Sequence, residues 1–319
     1  MAVKNYFRIM LGRKSRYADE CRKGNFIGVD FEINIDLKGK LPDNWRLFNQ
    51  EFIPIYLKNH PDKTKVSAGL ACGALWTVAK FLNKGDIVLC PNGTGSYLVG
   101  EVIEDYSYHP GEVLPHRRAV RWYPNLIERT ALSQALQYST GSIGTVSNIT
   151  KFADEIEKLI SGNTSPTIVS TDDTVEDPST FALEEHLEEF LIQNWKQTEF
   201  GKKYDVYEED GELVGQQYPS DTGPIDILAI SKDKKELLVV ELKRGRASDH
   251  VVGQVQRYMG YVQQELAEEG QSVKGVIVAL EDDIRIRRAL SVAPNIEFYR
   301  YQVSFKLYKS DMNNAGKKK

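Results

Sequence analysis

The sequence predicts two domains, an α+β unit followed by a mixed α/β core. Three observations lead there. The chain has 319 residues, more than one compact core ordinarily serves. The stretch 161–180, SGNTSPTIVSTDDTVEDPST, is rich in Ser, Thr, Asp and Pro and lacks apolar periodicity. That composition suits an exposed linker. The element pattern also changes across it, from short strands with interleaved helices to a helix, strand, strand, helix, strand, helix, strand order. The expected boundaries are a first domain at 1–160, a linker at 161–180, a second domain at 181–310 and a basic disordered tail at 311–319.

In the first domain, Tyr6–Leu11 reads as a strand and Ser15–Lys23 as a short helix stopped by Gly24. Phe26–Phe31 is the next strand. Trp45, Phe48, Phe52 and Ile55 have helical spacing, with Pro54 expected to interrupt. Gly73–Leu82 reads as a helix, and Ile87–Cys90 and Tyr97–Ile103 as strands about the turn Pro91-Asn92-Gly93-Thr94-Gly95. Ala119–Trp122 is another strand, and 132–136 and 146–159 read as helical. Many short strands with helices between them suggest a small curved sheet or barrel.

In the second domain, the run from Phe181 to Trp195 is an amphipathic helix with Leu183, Leu187, Phe190, Leu191 and Asn194 on one face. Then comes a hairpin, TGPIDILAISKDKKELLVVELK, two β-branched apolar runs about a charged turn. Val251–Glu268 is a helix, Val273–Leu280 a buried strand, Ile284–Val292 a helix, and 296–307 supplies final strands.

Composition sets limits. Apolar content of 41% with 27% charged residues is ordinary for a globular protein. No apolar run reaches membrane-spanning length and the N-terminus is not a secretory signal, so no membrane partner and a cytoplasmic location are expected. Cys21, Cys72 and Cys90 are scattered, form no zinc pattern and fit reduced thiols. A net charge of -4 argues against a protein that coats DNA along its whole surface. It leaves room for a local basic face.

The hairpin carries the chemistry. Asp226 lies on its first strand, and Glu241 and Lys243 on its second. Residues two apart share a strand face. Charge on a face that should be buried is costly unless it is paired or binds a metal. Phosphodiester hydrolysis needs an activated water, neutralised phosphate charge and a stabilised leaving oxygen, and carboxylate-held Mg²⁺ serves all three. Asp226 and Glu241 are the expected metal ligands, with the Leu242 carbonyl completing the shell and Mn²⁺ able to substitute. Lys243 is placed to hold or help deprotonate the water. Glu184 borders the buried face of the preceding helix and is the preferred further acid. Glu185 is second choice, and Glu188 and Glu189 are expected further toward solvent. Gln254 and Tyr258 lie one turn apart on the next helix, Gln254 to orient substrate or water and Tyr258 to anchor the helix or touch phosphate. Arg244 and Arg246 can reach neighbouring phosphates. A solvated strand face with a surface ion pair is the plainer alternative for this triad.

Asp226, then Glu241-Leu242-Lys243, then Gln254-x-x-x-Tyr258, with an acidic helix upstream, resembles the PD-(D/E)XK nuclease superfamily. The wording TGPIDILAISKDKKELLVVELKRGRASDHVVGQVQRYMGYV is similar to the catalytic domain of the NucS branch and to Mrr-like restriction endonucleases, over roughly Phe181–Leu307. Ile225 stands where the family usually has Pro. The resemblance implies a restriction-endonuclease-like mixed α/β core that cuts DNA.

The first domain has no catalytic constellation of its own. Its wording ADECRKGNFIGVDF and GALWTVAKFLNKGDIVLCPNGTGSYLVGEVIEDYSYHPGEVLPHRRAVRWYP resembles PUA-like, EVE-type domains of modification-dependent restriction proteins, over roughly Tyr6–Phe152. Such domains bind nucleic acid, and several enclose a flipped or modified base. A flipped base needs aromatic stacking and a few polar groups. Asp30, Phe31, Trp45 and Tyr97 are the preferred pocket candidates. Trp76 and Trp122 fit core positions better. His116, Arg117, Arg118 and Arg121 form the densest basic stretch and could hold phosphates.

The leading expectation is therefore a Mg²⁺-dependent DNA endonuclease for modification-dependent restriction of phage DNA. A NucS-like mismatch or structure-specific repair nuclease is the alternative. A non-enzymatic nucleic-acid-binding protein with a decayed nuclease fold is the second. DNA, base-modified or not, is the expected partner, and a homodimer is expected because cutting both strands asks for two centres.

Overall fold

A computed structural model describes residues 4–141, 144–161, 187–209 and 211–302. The linker expected at 161–180 lies outside these residues but for Ser161, as do Glu184, Glu185 and the C-terminal tail. Two sheets organise the chain, one on each side of the undescribed stretch.

The first sheet has eight strands: β1 (Tyr6–Ile9), β2 (Phe26–Val29), β3 (Ile87–Pro91), β4 (Ser96–Val102), β5 (Ser107–Tyr108), β6 (His116–Trp122), β7 (Ile127–Glu128) and β8 (Val146–Asn148). Their order is β2-β6-β4-β3-β1-β8, with β5 on β6 and β7 on β4. Only β1 and β3 run parallel; the other pairs are antiparallel. Around it lie α1 (Ala18–Gly24), α2 (Trp45–Asn59), α3 (Lys65–Trp76), α4 (Gln134–Gly141) and α5 (Ala153–Ser161). Its core joins Phe7, Ile9, Ile27 and Val88 to Phe48, Phe52 and Leu75.

Three sequence expectations change here. Pro54 sits inside an unbroken α2. The missing N–H is offset by burial of Phe48, Phe52 and Tyr56, with the Phe48 and Phe52 rings stacked at 4.3 Å. The helix expected from Gly73 starts at Lys65, where the Thr64 hydroxyl accepts from Ser67 N. It closes in a π-helical turn, Thr77–Phe81. The span 146–159 is not all helix: β8 pairs with β1 in the register Phe7↔Asn148 and Ile9↔Val146 before α5 begins. Tertiary pairing overrides helical spacing there.

The second sheet has β9 (Tyr204–Val206), β10 (Gln216–Tyr218), β11 (Ile225–Ser231), β12 (Glu236–Arg246), β13 (Ser272–Glu281) and β14 (Ile296–Arg300). The order is β10-β11-β12-β13-β14, with β9 on β11. The β11–β12 hairpin is antiparallel, and β12, β13 and β14 run parallel. Helix α6, described over residues 187–193, covers one face. On the other lie α7 (Asp249–Tyr261), its π-helical extension Val262–Leu266, and α8 (Ile284–Leu290). This is the expected mixed α/β core. The short strands β9 and β10 are additions the sequence reading missed.

The two halves meet along α3. Val66 and Leu70 pack in the core of the second domain. The Tyr218 hydroxyl donates to Val66 O at 2.7 Å, Tyr207 to Thr64 Oγ1 at 2.8 Å, and Asn49 Nδ2 to Glu265 Oε2 at 2.8 Å. Lys63 pairs with Glu209 at 3.0 Å. Among the described residues no helix is long and apolar enough to cross a membrane.

Gly69 lies in this seam because nothing larger fits. A Cβ there would stand 2.6 Å from the Tyr218 hydroxyl and 2.7 Å from Leu266 Cδ2. Both neighbours are buried. Gly69→Ala is predicted to destabilise the full chain by about 1–3 kcal/mol through overpacking. Denaturant melts of the two proteins check it; coincident midpoints would refute a close-packed seam.

Candidate active site

The hairpin register Ile227↔Val240 sets Asp226 beside Glu241 on one face. Asp226 Oδ2 accepts the Leu242 backbone N–H at 2.8 Å, which fixes the carboxylate against the second strand. Glu241 is buried, and its Oε1 pairs with Lys243 Nζ at 3.0 Å. Lys243 keeps 29% of its side chain open, so its ammonium can meet a ligand. The central strand β12 presents both residues on the face toward Asp226.

A third carboxylate joins them; the expected Glu184 and Glu185 lie outside the described residues. It is Glu188, which the sequence reading turned toward solvent. Glu188 is 4% exposed. Its Oε1 accepts from Gln216 Nε2 at 3.0 Å and from the Tyr138 hydroxyl at 3.3 Å. Its Oε2 accepts from Gln217 Nε2 at 2.6 Å, and the same nitrogen donates to Asp226 Oδ1 at 3.1 Å. A signal for Glu188 was present. It lies three residues before Leu191 and seven before Trp195, both buried, so it shares their helix face. Phe190, expected on that face, is 61% exposed. Gln216, Gln217 and Tyr138 had no sequence signal, because short β10 and the contact with α4 are visible only in the fold.

Helix α7 supplies the remaining predicted pair. Gln254 Nε2 donates to the Tyr258 hydroxyl at 3.2 Å. Tyr258 is buried, and its hydroxyl stands 3.3 Å from where a Cβ on Gly223 would lie. Gly223 has φ +122, a conformation that favours glycine. It lets the chain turn beneath the tyrosine, and Pro224 then leads into β11 at Ile225. Burial raises the Tyr258 pKa, and the charges of Glu241 and Asp226 add to the rise.

The carboxylates are electrostatically crowded. Burial first, then the charge of Asp226, pushes Glu188 up to about 8. Burial also raises Asp226, opposed by the Leu242 N–H, Lys243, Gln217 and Lys151. Among the described residues no three His, Cys, Asp or Glu side chains are gathered as a ready-made metal cage. The donor chemistry nonetheless fits a hard divalent cation. Buried, mutually repelling carboxylate oxygens beside a strand carbonyl are what Mg²⁺ takes, with water filling the rest. A dication would offset the burial that raises both groups and the Asp226 charge that adds to the rise of Glu188.

Asp226, Glu188, Gln216, Gln217 and Leu242 open onto a cavity of about 1140 Å³ whose opposite wall comes from the first domain. Trp45, Trp76, Arg129, Tyr138 and Lys151 line that wall. Of the predicted phosphate contacts, Arg246 is exposed and pairs loosely with Glu281 at 3.7 Å, and Arg244 is half-buried.

Most of the predicted N-terminal interface is structural instead. His116 is buried, with Nδ1 2.8 Å from the Tyr106 hydroxyl and Nε2 2.8 Å from Ile33 O. Arg117 packs over the Phe26 ring at 3.8 Å and donates to Leu114 O, Val113 O and Glu112. Arg118 donates to Val78 O and Ala79 O. These cations satisfy buried carbonyls and cannot also grip phosphate. Arg121 is exposed and pairs with Glu101 at 2.8 Å. Tyr97 is core, its hydroxyl bonded to Thr140 and Arg129, so it cannot stack on a base. Asp30 is exposed and caps the Glu32 N–H; Phe31 packs against the core. Trp45 alone of the four pocket candidates lines the cavity.

The raised Glu188 pKa fixes a pH dependence. Its folded value lies above the usual carboxylate range, so between about pH 4.5 and 8 the folded state holds a proton the unfolded chain has lost. The stability it contributes is full below the unfolded pKa and is lost as pH rises through 8. In chelator, Glu188→Gln is predicted to gain melting temperature relative to the parent protein as pH goes from 5 to 8.5. A difference that stays flat with pH would contradict this.

Residues 183–315 match the family described as "Endonuclease NucS C-terminal domain". Residues 7–150 match a family described as "Domain of unknown function (DUF8426)". The chain is 32% identical over 96 residues to Endonuclease NucS of Methanocaldococcus jannaschii, covering 30% of this chain and 35% of that protein. It is 34% identical over 74 residues to Endonuclease NucS of Pyrococcus abyssi, covering 23% and 28%. The matched segments thus span about a third of those relatives or less. Among solved structures, an EndoMS–dsDNA complex aligns at TM-score 0.31 and 14% identity over 68% of each chain. A repair endonuclease from Pyrococcus abyssi aligns at 0.30 and 17% over 69% of this chain and 80% of that one. The two structural scores are too low to carry an argument, and the likeness rests on the sequence matches. The second half of the chain is thus similar in sequence to the NucS C-terminal family.

Proposed function

We propose that this protein is a divalent-metal-dependent DNA endonuclease of the NucS kind, acting on mismatched or structurally irregular duplex. One observation carries the reading. Asp226, Glu241 and Lys243 sit on adjacent strands, Glu188 is tied to Asp226 through Gln217, and a cavity opens at Asp226 and Glu188. A solvated strand face would not bury Glu241 to 2% exposure or hold Glu188 with three donors.

Asp226, Glu241 and the Leu242 carbonyl would hold Mg²⁺ or Mn²⁺, with Glu188 beside them, and such an ion supplies charge neutralisation and a more acidic water. Lys243 can only donate hydrogen bonds from its ammonium. It therefore orients the attacking water and stabilises the anionic phosphate, while its contact with Glu241 fixes its position. Gln254 and Tyr258 brace each other behind the strand. Arg244 and Arg246, at the end of β12, meet phosphates beside the scissile one. Cutting both strands asks for two such centres, hence a homodimer.

Modification-dependent restriction is the second reading. Trp45 on the cavity wall favours it, as a surface on which an extruded base could stack. The burial of His116, Arg117, Arg118 and Tyr97 removes most of its other support.

The test incubates the protein with matched, mismatched and branched duplexes and with base-modified phage DNA, with Mg²⁺ or chelator. Mismatched or branched DNA is expected to be cut, and chelator to stop cutting. Asp226→Ala should abolish cleavage, and Lys243→Ala should slow it roughly 10²–10⁴-fold, without loss of fold. Cutting confined to modified DNA selects restriction. Undiminished cutting by Asp226→Ala sinks both readings.

A further inference from the structure

We propose that Gln217 is a positioning residue for the divalent cation: its amide aligns Glu188 with Asp226, and its strained backbone gives the amide that reach. The proposal rests on the metal-dependent nuclease reading and assigns a residue outside the acid, lysine and Gln-x-x-x-Tyr pattern.

In β10 the register Gln216↔Ile227 and Tyr218↔Ile225 sets Gln217 opposite Asp226. Directly opposed residues of an antiparallel pair lie on one face, which accounts for the 3.1 Å bond from Gln217 Nε2 to Asp226 Oδ1. Consecutive residues of a regular strand point to opposite faces. The two glutamines depart from this. Gln216 Nε2 reaches Glu188 Oε1 at 3.0 Å and Gln217 Nε2 reaches Glu188 Oε2 at 2.6 Å, so neighbouring amides converge on one carboxylate. The break in alternation coincides with the φ of +49 at Gln217, a region that residues other than glycine seldom enter. Strain of this kind persists where the surroundings over-determine it, and it clusters at functional sites. The neighbouring anchor is Tyr218, buried, whose hydroxyl donates to Val66 O across the seam at 2.7 Å.

The contacts give the strain its use. Glu188 comes from α6 and Asp226 from β11, so the chain itself does not fix one carboxylate relative to the other. One nitrogen bonded to both does. With the Leu242 N–H on Asp226 Oδ2 and Gln216 on Glu188 Oε1, all four carboxylate oxygens accept a hydrogen bond, and neither group turns freely. Glu188 Oε2 and both oxygens of Asp226 accept one bond each and keep a second lone pair for a cation. Gln217 lines the cavity together with both acids. A group that orients ligand oxygens in this way sets metal affinity without touching metal or substrate.

The test uses the full chain. Mn²⁺ binding is followed through the EPR signal of the free ion at pH 8, and melting is followed in chelator by circular dichroism. Gln217→Met keeps the length of the side chain and removes both donated bonds. It is expected to bind Mn²⁺ about 10–100-fold more weakly than the parent while still melting cooperatively. Gln217→Ala and Gln217→Gly lose the same bonds and should bind as weakly. In chelator, Gln217→Gly should melt several degrees above Gln217→Ala, because a positive φ strains alanine and not glycine. Should Gln217→Met not fold, Gln217→Gly carries the same binding comparison free of the strain. Parental or tighter Mn²⁺ binding in these variants overturns the positioning role alone. A Gln217→Gly protein that melts no higher than Gln217→Ala overturns the strain on which that role depends. A parent protein that binds no Mn²⁺ defeats the metal-dependent reading, and this proposal with it.

Discussion

Two buried carboxylates held by one amide set the constraint on which this structure depends. Glu188 and Asp226 both accept from Gln217 Nε2, at 2.6 and 3.1 Å. Like charges this close in a low-dielectric site repel strongly, and burial compounds the cost. The chain absorbs that cost through placement. Gln217 adopts φ +49 in a strand, a conformation that ordinarily costs of order 1–3 kcal/mol for a side-chain-bearing residue. Its distorted backbone is what brings the amide between the two acids. Leu242 N–H and Gln216 take further oxygens. The site is held in a strained, proton-hungry state that a cation would relax.

The same constraint explains how the halves meet. Short β10 must stay against β11 for Gln216 and Gln217 to reach the acids, in the register Gln216↔Ile227 and Tyr218↔Ile225. Tyr218 is fully buried, and its hydroxyl bonds Val66 O on α3. The first domain therefore pins the strand that positions the carboxylates, while Tyr138 touches one of them directly. A fault in the seam at Gly69 would be felt two residues from Gln216.

This also separates what was legible in the sequence from what was not. Asp226, Glu241, Lys243, Gln254 and Tyr258 lie on long regular elements, where period-2 and i,i+4 spacing tell which residues share a face. Their grouping follows from local geometry, and the order of the major nuclease elements could be read the same way. Glu188 was misplaced because four acids crowd one short stretch of sequence, and Phe190 offered a false apolar anchor. The correct anchors were Leu191 and Trp195. The arginines of β6 were misread for another reason. A basic run looks alike whether its cations face phosphate or buried carbonyls, and only the crossing of β6 with the Val78 turn and the Glu112–Leu114 loop decides. Gln217 and Tyr138 act through contacts that no local period encodes.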